Sequence, residues 1–375
     1  MLRVPSRLLS WVVLHIAASP SRRTMKLSFL ESIISLVTCT LAQTPNPLPG
    51  SSDTVVRDPA IYYNGDSKKY FVFSTDNDIG IFTSTSLLGP WTSVGSVLPN
   101  CSTINLSGNC DLWAPDINFV NGQYVLYYLV STVGSQDSAI GVATSPSMEP
   151  GTWTDLGAVV TSADGDNYNA IDPNLFVENS QLKLGFGSYW GCVFQVPLNS
   201  ITSSAEALPG THLAGYNGRR AEGSFTYKPA SSPYYFEFFS DGITPFIGDT
   251  DRPPAGQEYK VLVGRGSSPS GPFVDQSGND ITLNLDPPSG NDITLNLDPP
   301  SGNDITLNLD PPSGTLVLGS HDNVYAPGGQ SLFFDPVSGR DVIAYHYVPN
   351  DAFGGPSYLG INYVDFSSGW LVIVD

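Results

Sequence analysis

The sequence predicts an all-β fold, a five-bladed β-propeller, from its composition, its strand pattern and a long internal repeat. Gly (37 residues), Pro (31 residues) and aromatic residues (11%) are plentiful among the 375 residues, whereas charged residues make up only 14%. Helices favour Ala, Leu, Glu and Lys in quantity, so this mixture favours strands joined by turns.

Strand signals follow one another closely along the whole chain. Short runs of β-branched and aromatic residues, such as KYFVFST, QYVLYYLVS, YKVLVGRG and DVIAYHY, are separated by Gly, Asn, Asp and Pro. This spacing is typical of antiparallel strands in a meander. No segment has the length and the 3.6-residue period of a major helix.

A repeat of about 60 residues indicates propeller blades of four strands each. One series of segments joins an I/V-Gly strand to a turn with Gly-Pro or Pro-Gly and an aromatic residue. A second series, in phase with the first, places an acidic residue at the start of a strand. Its members are RDPAI (Asp58), APDINF (Asp116), AIDPNLF (Asp172), AEGSFTY (Glu222) and, without an acid, APGGQSLFF from Ala326. One acid before a strand is ordinary turn chemistry, but acids in phase converge on the central axis of a propeller and predict a site there.

Two segments are predicted to lie outside the propeller repeat. Residues 1–42 have the pattern of a leader peptide that starts at Met25 and is cleaved after Ala42, which leaves residues 43–375 as one catalytic propeller domain. SGNDITLNLDPP occurs three times in tandem at 277–312. Such identity indicates a recent duplication in a surface connection, and its Asp content leaves calcium binding open.

Charge and cysteine usage indicate an exported protein that acts on a neutral polymer. The formal net charge of −19 excludes nucleic acid and an anionic membrane surface as partners, because both require a basic face. Cys101 and Cys110 bracket a short segment that can close as a disulfide, and N-glycosylation sequons begin at Asn100 and Asn105. Cys192 is predicted to be a buried free thiol.

The acids in the repeat have the chemistry of a glycoside hydrolase. Cleavage of a glycosidic bond requires one protonated and one ionised carboxyl group in different environments. Arg57 beside Asp58 favours the ionised form that a base needs, and Gly223 after Glu222 lets a substrate approach the backbone. A third acid, Asp172, can keep Glu222 protonated through like-charge repulsion.

At these residues the chain resembles glycoside hydrolase family 43, most closely its fungal endo-arabinanases. The motifs are VVRDPAI, LWAPDI, GSQDSAIGVATS, YNAIDPNLF, GSYWG, RAEGSF and GSHDNVYAPGGQ, in family order from about residue 50 onward. The resemblance implies a secreted, inverting enzyme that cleaves internal α-1,5-L-arabinofuranosidic bonds of arabinan in pectin. It implies Asp58 as the general base, Asp172 as the carboxylate that tunes and orients the acid, and Glu222 as the general acid.

The same resemblance implies further contacts. A calcium ion near the axis would be held with the help of His321 and with water filling much of its shell, no organic cofactor is implied, and we expect a monomer. The family's closing strand also differs from SSGWLVIVD, which predicts a less securely fastened last blade. The implied substrate contacts are Asn169, Ala170, Ile171, Ser188, Tyr189, Trp190, Gly134 and Trp113.

Two other functions remain open from the sequence. One is an exo-acting β-xylosidase or α-L-arabinofuranosidase with the same acids in a blocked cleft. The other is a carbohydrate-binding propeller that has lost catalysis, which the presence of all three acids disfavours.

Overall fold

Twenty-one strands and two short 3-10 turns make up the regular structure of the part of the chain that the computed structural model describes. That part comprises residues 44–76, 78–204, 206–216, 219–283 and 313–375. The leader, its start and its cleavage point lie outside the described residues. No helix in the described ranges is long and apolar enough to cross a membrane.

The strands form five antiparallel sheets in chain order, which we call blades I to V. The bounds of blades I and II are β1 (Ala60–Asn64), β2 (Lys69–Ser74), β3 (Gly80–Ser84), β4 (Thr92–Ser96), β5 (Trp113–Val120), β6 (Gln123–Val130), β7 (Ser138–Ser145) and β8 (Thr154–Ser162). Those of blade III are β9 (Asn174–Glu178), β10 (Gln181–Phe186), β11 (Val193–Ser200), β12 (Ser203–Ser204) and β13 (Thr211–Ala214). Those of blades IV and V are β14 (Ala221–Tyr227), β15 (Tyr235–Asp241), β16 (Lys260–Gly266), β17 (Thr315–Leu318), β18 (Val324–Asp335), β19 (Arg340–Pro349), β20 (Tyr358–Asp365) and β21 (Val372–Val374).

The first strands of the blades form a closed ring around the axis. β1 contacts β5, β5 contacts β9, β9 contacts β14, β14 contacts β18, and β18 contacts β1. Each first strand belongs to the acidic series of the repeat, and the repeated Gly-Pro and Pro-Gly turns at 89–90, 150–151 and 271–272 follow the third strands β3, β7 and β16. The predicted five-bladed β-propeller is therefore confirmed.

The described core has six apolar clusters, of which five lie one between each pair of neighbouring blades. The strands that pack between blades are buried on both faces, which explains why runs such as QYVLYYLV are continuously apolar. Burial of this kind is the main source of stability, so each interface between blades stabilises the ring.

Both ends of the described chain meet in blade V. The segment that precedes blade I pairs with β20, where Leu48 N–H donates to Ile361 O at 2.8 Å and Leu359 N–H donates to Thr54 O at 3.0 Å. β21 pairs with the other half of β20, from Tyr363 to Asp365. β19 occupies one edge of β20, so the two ends of the described chain share its other edge, and the final strand has only three residues.

The cysteine predictions agree with the structure, and the tandem repeat is described only in its first part. Cys101 and Cys110 form a disulfide, and Cys192 is a buried free thiol. Of the repeat at 277–312, residues 277–283 are described; Ile281 is fully buried in the cluster between blades III and IV. The Ser313 hydroxyl donates to Leu283 O at 2.9 Å. The two described residues on either side of residues 284–312 are therefore in contact.

Candidate active site

Five backbone positions with positive φ mark the start of the first strands at one end of the axis. They are Asp58 (φ 45°), Ala114 (42°), Asp172 (54°), Gly223 (66°) and Ala326 (50°). Non-glycine residues rarely adopt this conformation, and it is concentrated at functional sites. Asp58 and Asp172 therefore occupy equivalent positions, whereas Glu222 precedes the equivalent position of blade IV by one residue.

Side chains bind the backbone N–H groups at four of these five positions. Asp58 N–H donates to His346 Nδ1 at 3.1 Å, and Gly223 N–H donates to Asp172 Oδ2 at 3.2 Å. Ala114 N–H donates to the Thr75 hydroxyl, and Ala326 N–H donates to that of Ser320. These bonds hold the unusual backbone in place, because each satisfies a polar group in the ring.

The Asp58 carboxylate is held in its ionised form. Thr75 Oγ1 donates to Asp58 Oδ2 at 2.8 Å, Arg57 Nε lies 3.9 Å from the same oxygen, and His346 Nδ1 lies 3.3 Å from Oδ1. Burial by itself would raise the pKa of Asp58, but the contacts with His346, Arg57 and Thr75 outweigh it and lower the pKa to about 2.

Two glycines of blade V make room for this arrangement. A Cβ on Gly329 would lie 2.3 Å from Asp58 Oδ1 and 2.8 Å from His346 Nδ1, and a Cβ on Gly328 would lie 2.0 Å from the Tyr259 ring. The two glycines of the APGGQ segment are therefore explained by the close approach of side chains from other blades, which leaves no room for a Cβ.

Glu222 accepts hydrogen bonds on both carboxyl oxygens. The Ser188 hydroxyl donates to Oε2 at 2.7 Å and the Tyr259 hydroxyl donates to Oε1 at 2.8 Å. Tyr259 is almost fully buried, and its ring stacks against that of His346 with 5.9 Å between ring centroids. The tyrosine thus links Glu222 to the histidine that contacts Asp58.

The Asp172 carboxyl group differs from that of Asp58 in the direction of its pKa shift. Its pKa is raised well above the usual value by burial, then by the neighbouring Glu222 and Asp58 carboxylates; the Gly223 N–H opposes this only in part. Asp172 therefore retains its proton to higher pH than Asp58, whose pKa is about 2.

Asp116, the remaining acid of the repeat, belongs to the packing of the ring. It is buried inside β5 and accepts hydrogen bonds from Asn118 Nδ2, Asn174 Nδ2 and Leu175 N–H at 2.7–3.0 Å. Burial raises its pKa to about 7 although these three donors oppose the shift. Asp116 lies two residues beyond Ala114, which is the position of blade II equivalent to Asp58. Its side chain bonds to residues of blades II and III and so joins the two blades.

The eight predicted substrate contacts have different surroundings. Ser188 is bound to Glu222, and Tyr189 and Trp190 follow it in a connection with positive φ at both residues. Asn169 and Ala170 are buried, and both bond to the Ser162 hydroxyl. Exposure to solvent differs among the others: Ile171 and Trp113 are partly buried, and Gly134 is exposed.

The predicted calcium ligand has no calcium donor set around it. His321 Nδ1 contacts Gly319 O at 2.8 Å and its Nε2 contacts Pro45 O at 3.3 Å. Calcium takes six to eight oxygen ligands, and no group of three His, Cys, Asp or Glu side chains suited to a metal occurs in the described ranges. Calcium at His321, with water in much of its shell, therefore stays a prediction.

Three residues of the site lie outside the motifs that predicted it. Thr75, Tyr259 and His346 belong to the connection after β2, the approach to β16 and β19, far from the acidic series in sequence. The HY pair at His346 in the DVIAYHY strand was the one available signal, since histidine is uncommon in a buried strand.

Comparison with known proteins identifies a family. The family model described as Glycosyl hydrolases family 43 matches residues 51–293. This range includes all three carboxylates and blades I to III in full, together with the first three strands of blade IV.

Individual proteins are similar over most of the chain. An arabinan endo-1,5-α-L-arabinosidase A from Aspergillus aculeatus is 44% identical over 334 residues, which cover 88% of this chain and 94% of that protein. An endo-arabinanase of family 43 from Bacillus licheniformis has a TM-score of 0.66 at 27% identity and covers 86% of this chain and 99% of its own. An exo-1,5-α-L-arabinanase from a bovine ruminal metagenomic library has a TM-score of 0.69 at 25% identity. The match covers 88% of this chain and 99% of that one.

Proposed function

The chain belongs to glycosyl hydrolases family 43 and is a glycoside hydrolase, and from this premise we propose that it cleaves internal α-1,5-L-arabinofuranosidic bonds of arabinan. The observation that supports hydrolysis is the convergence of three carboxyl groups from blades I, III and IV, in which the pKa of Asp58 is lowered and that of Asp172 is raised. Arabinan as substrate is supported by the 44% identical relative, which is named for that activity.

We propose an inverting reaction with Asp58 as base and Glu222 as acid. A water molecule attacks the anomeric carbon and gives a proton to Asp58, which is ionised because its pKa is about 2. The bond from the anomeric carbon to the glycosidic oxygen breaks, and Glu222 gives that oxygen a proton. The Ser188 and Tyr259 hydroxyls hold the Glu222 carboxyl in one orientation during the transfer.

Asp172 has the role of keeping a proton available to Glu222. Burial and the charge of Glu222 raise the pKa of Asp172, so full deprotonation of the pair places two negative charges side by side. Substrate binding brings the glycosidic oxygen next to Glu222. The proton that the pair retains is then available to protonate this oxygen, as general acid catalysis requires.

Replacing Asp172 by Asn is expected to narrow the pH range of activity on its alkaline side. The neutral amide removes the like-charge repulsion that retains the proton, so the alkaline limb of kcat/KM should move down by about one pH unit. The acid limb should move little, because Thr75, Arg57 and His346 still hold Asp58 ionised. A pH profile on linear arabinan measures both limbs; an unchanged alkaline limb would contradict the role of Asp172.

The endo mode of cutting is tested by the products of debranched arabinan. We expect the viscosity to fall early, with a ladder of oligosaccharides before arabinose appears, because an endo enzyme cuts within chains. Exo-acting proteins share this fold, so the fold itself leaves the mode open. Arabinose as the only early product would contradict the endo proposal, and binding without cleavage would favour the carbohydrate-binding alternative.

Export of the protein is a further part of the proposal. It is supported by the Cys101–Cys110 disulfide, which persists in oxidising compartments, and by Asn100 and Asn105, which are exposed as glycosylation requires. An extracellular location agrees with a polysaccharide substrate.

A further inference from the structure

The connection between β15 and β16 carries two exposed apolar side chains. Phe246 is 49% exposed and Ile247 is 78% exposed, the largest exposed fraction of any large apolar side chain in the described ranges. Contiguous exposed apolar surface with polar groups at its rim marks binding sites in soluble proteins.

Contacts on both sides hold this pair in place. Gly248 N–H donates to Gly354 O of blade V at 2.9 Å, and Phe246 N–H donates to Asp249 Oδ2 at 2.8 Å. On the side of blade I, Arg57 Nη1 donates to Pro245 O at 3.1 Å. The connection therefore presents Phe246 and Ile247 as a fixed surface, which we call the Phe246 platform.

Only one side chain separates the Phe246 platform from the proposed base. The Arg57 guanidinium carbon lies 4.9 Å from the centroid of the Phe246 ring, and Arg57 Nε lies 3.9 Å from Asp58 Oδ2. A cation against one face of the ring orients it, and the residue remains about half exposed to solvent.

The Phe246 platform and the Tyr189–Trp190 connection lie on opposite sides of the axis. In the ring of first strands, blade III is flanked by blades II and IV, so it faces the junction of blades V and I. Tyr189 and Trp190 belong to blade III, whereas the platform contacts Arg57 of blade I and Gly354 of blade V. A linear chain that crosses the carboxylates can therefore contact aromatic side chains on both sides.

We propose that the Phe246 platform binds arabinofuranose units of the arabinan chain beyond the cleaved bond, on the side of the axis away from Tyr189 and Trp190. An aromatic ring and an aliphatic side chain match the C–H face of a furanose, and the neighbouring guanidinium donates to its hydroxyl groups. The proposal rests on arabinan being the substrate. It assigns to Phe246 and Ile247 the recognition of longer chains.

The dependence of hydrolysis on chain length tests the platform. Linear α-1,5-arabino-oligosaccharides of increasing length and debranched arabinan are the substrates for wild type, Phe246→Ala and Phe246→Trp. We expect Phe246→Ala to lower kcat/KM about tenfold on the longest substrates, mainly through KM, as loss of one stacking contact requires. The shortest substrate that wild type cleaves should change by less than about twofold, and Phe246→Trp should retain wild-type preference for length.

Phe334→Ala is the matched control, because Phe334 is 52% exposed at the far end of β18 and remote from the carboxylates. Equal length dependence in wild type and Phe246→Ala would overturn the proposal. So would an equal fall in kcat on every length, since Phe246 would then act only by positioning Arg57 beside Asp58. Phe246→Leu, which keeps the apolar bulk, replaces Phe246→Ala if the latter lowers the melting temperature. Failure of the proposed function is a different result, because the wild-type protein would then cleave no arabinan of any length.

Discussion

Replacing Glu222 by Gln is expected to lower kcat on linear arabinan by about 10³-fold, since general acid catalysis contributes this order of rate acceleration. Gln has nearly the shape of Glu and its amide oxygen still accepts from Ser188 or Tyr259, but it has no proton to give to the leaving oxygen. Binding should persist, with a dissociation constant for arabinan within a few-fold of wild type. Steady-state hydrolysis and calorimetric binding measure the two quantities.

Glu206→Gln is the control for this prediction, because Glu206 is exposed in the connection between β12 and β13. It should leave kcat and binding unchanged. Undiminished hydrolysis by Glu222→Gln would show that another group protonates the leaving oxygen. Loss of binding together with a lower melting temperature would instead indicate that Glu222 is needed for the fold.

Replacing Asp116 by Ala is expected to destabilise the protein by about 4 kcal/mol, because three buried donors lose their acceptor and each costs roughly 1–3 kcal/mol. The donors are on Asn118, Asn174 and Leu175, and the last two belong to blade III. The loss should therefore loosen the contact between blades II and III. The midpoint of denaturant-induced unfolding measures the effect.

Activity separates this structural role from a catalytic one. At a temperature where Asp116→Ala remains folded, kcat on arabinan should stay within about twofold of wild type, as expected for a residue outside the site. Asp66→Ala, at an exposed acid in the hairpin between β1 and β2, should change neither quantity. A folded but inactive Asp116 variant would place this acid among the catalytic groups.

The propeller was predictable because each blade repeats a local pattern. Strand signals, turn residues and an acid near the start of most first strands are properties of neighbouring residues, and their recurrence reveals the ring. The phase alone could not separate Asp116 from Asp172. The two residues differ by only two positions along their strands, yet one side chain bonds within the ring and the other lies beside Glu222.

The supporting residues of the site depend on contacts between distant blades. Tyr259 reaches Glu222 from the start of β16, and His346 reaches Asp58 across the junction of blades V and I. No local pattern records such pairs, and a tyrosine in a β-rich sequence is ordinarily part of the core. Gly329 is similar, because its need to be small arises from Asp58 in the first blade.

The pairing of residues 48–56 with β20 has a consequence for biosynthesis. A ribosome releases the chain from its first residue onward, so the segment that pairs with Leu359 and Ile361 emerges roughly 300 residues before its partner. Throughout that interval blade I lacks its neighbour on one side, and the apolar cluster that it shares with blade V is open to the surroundings. Chaperones in the compartment of synthesis therefore have a defined surface to shield until the final blade arrives.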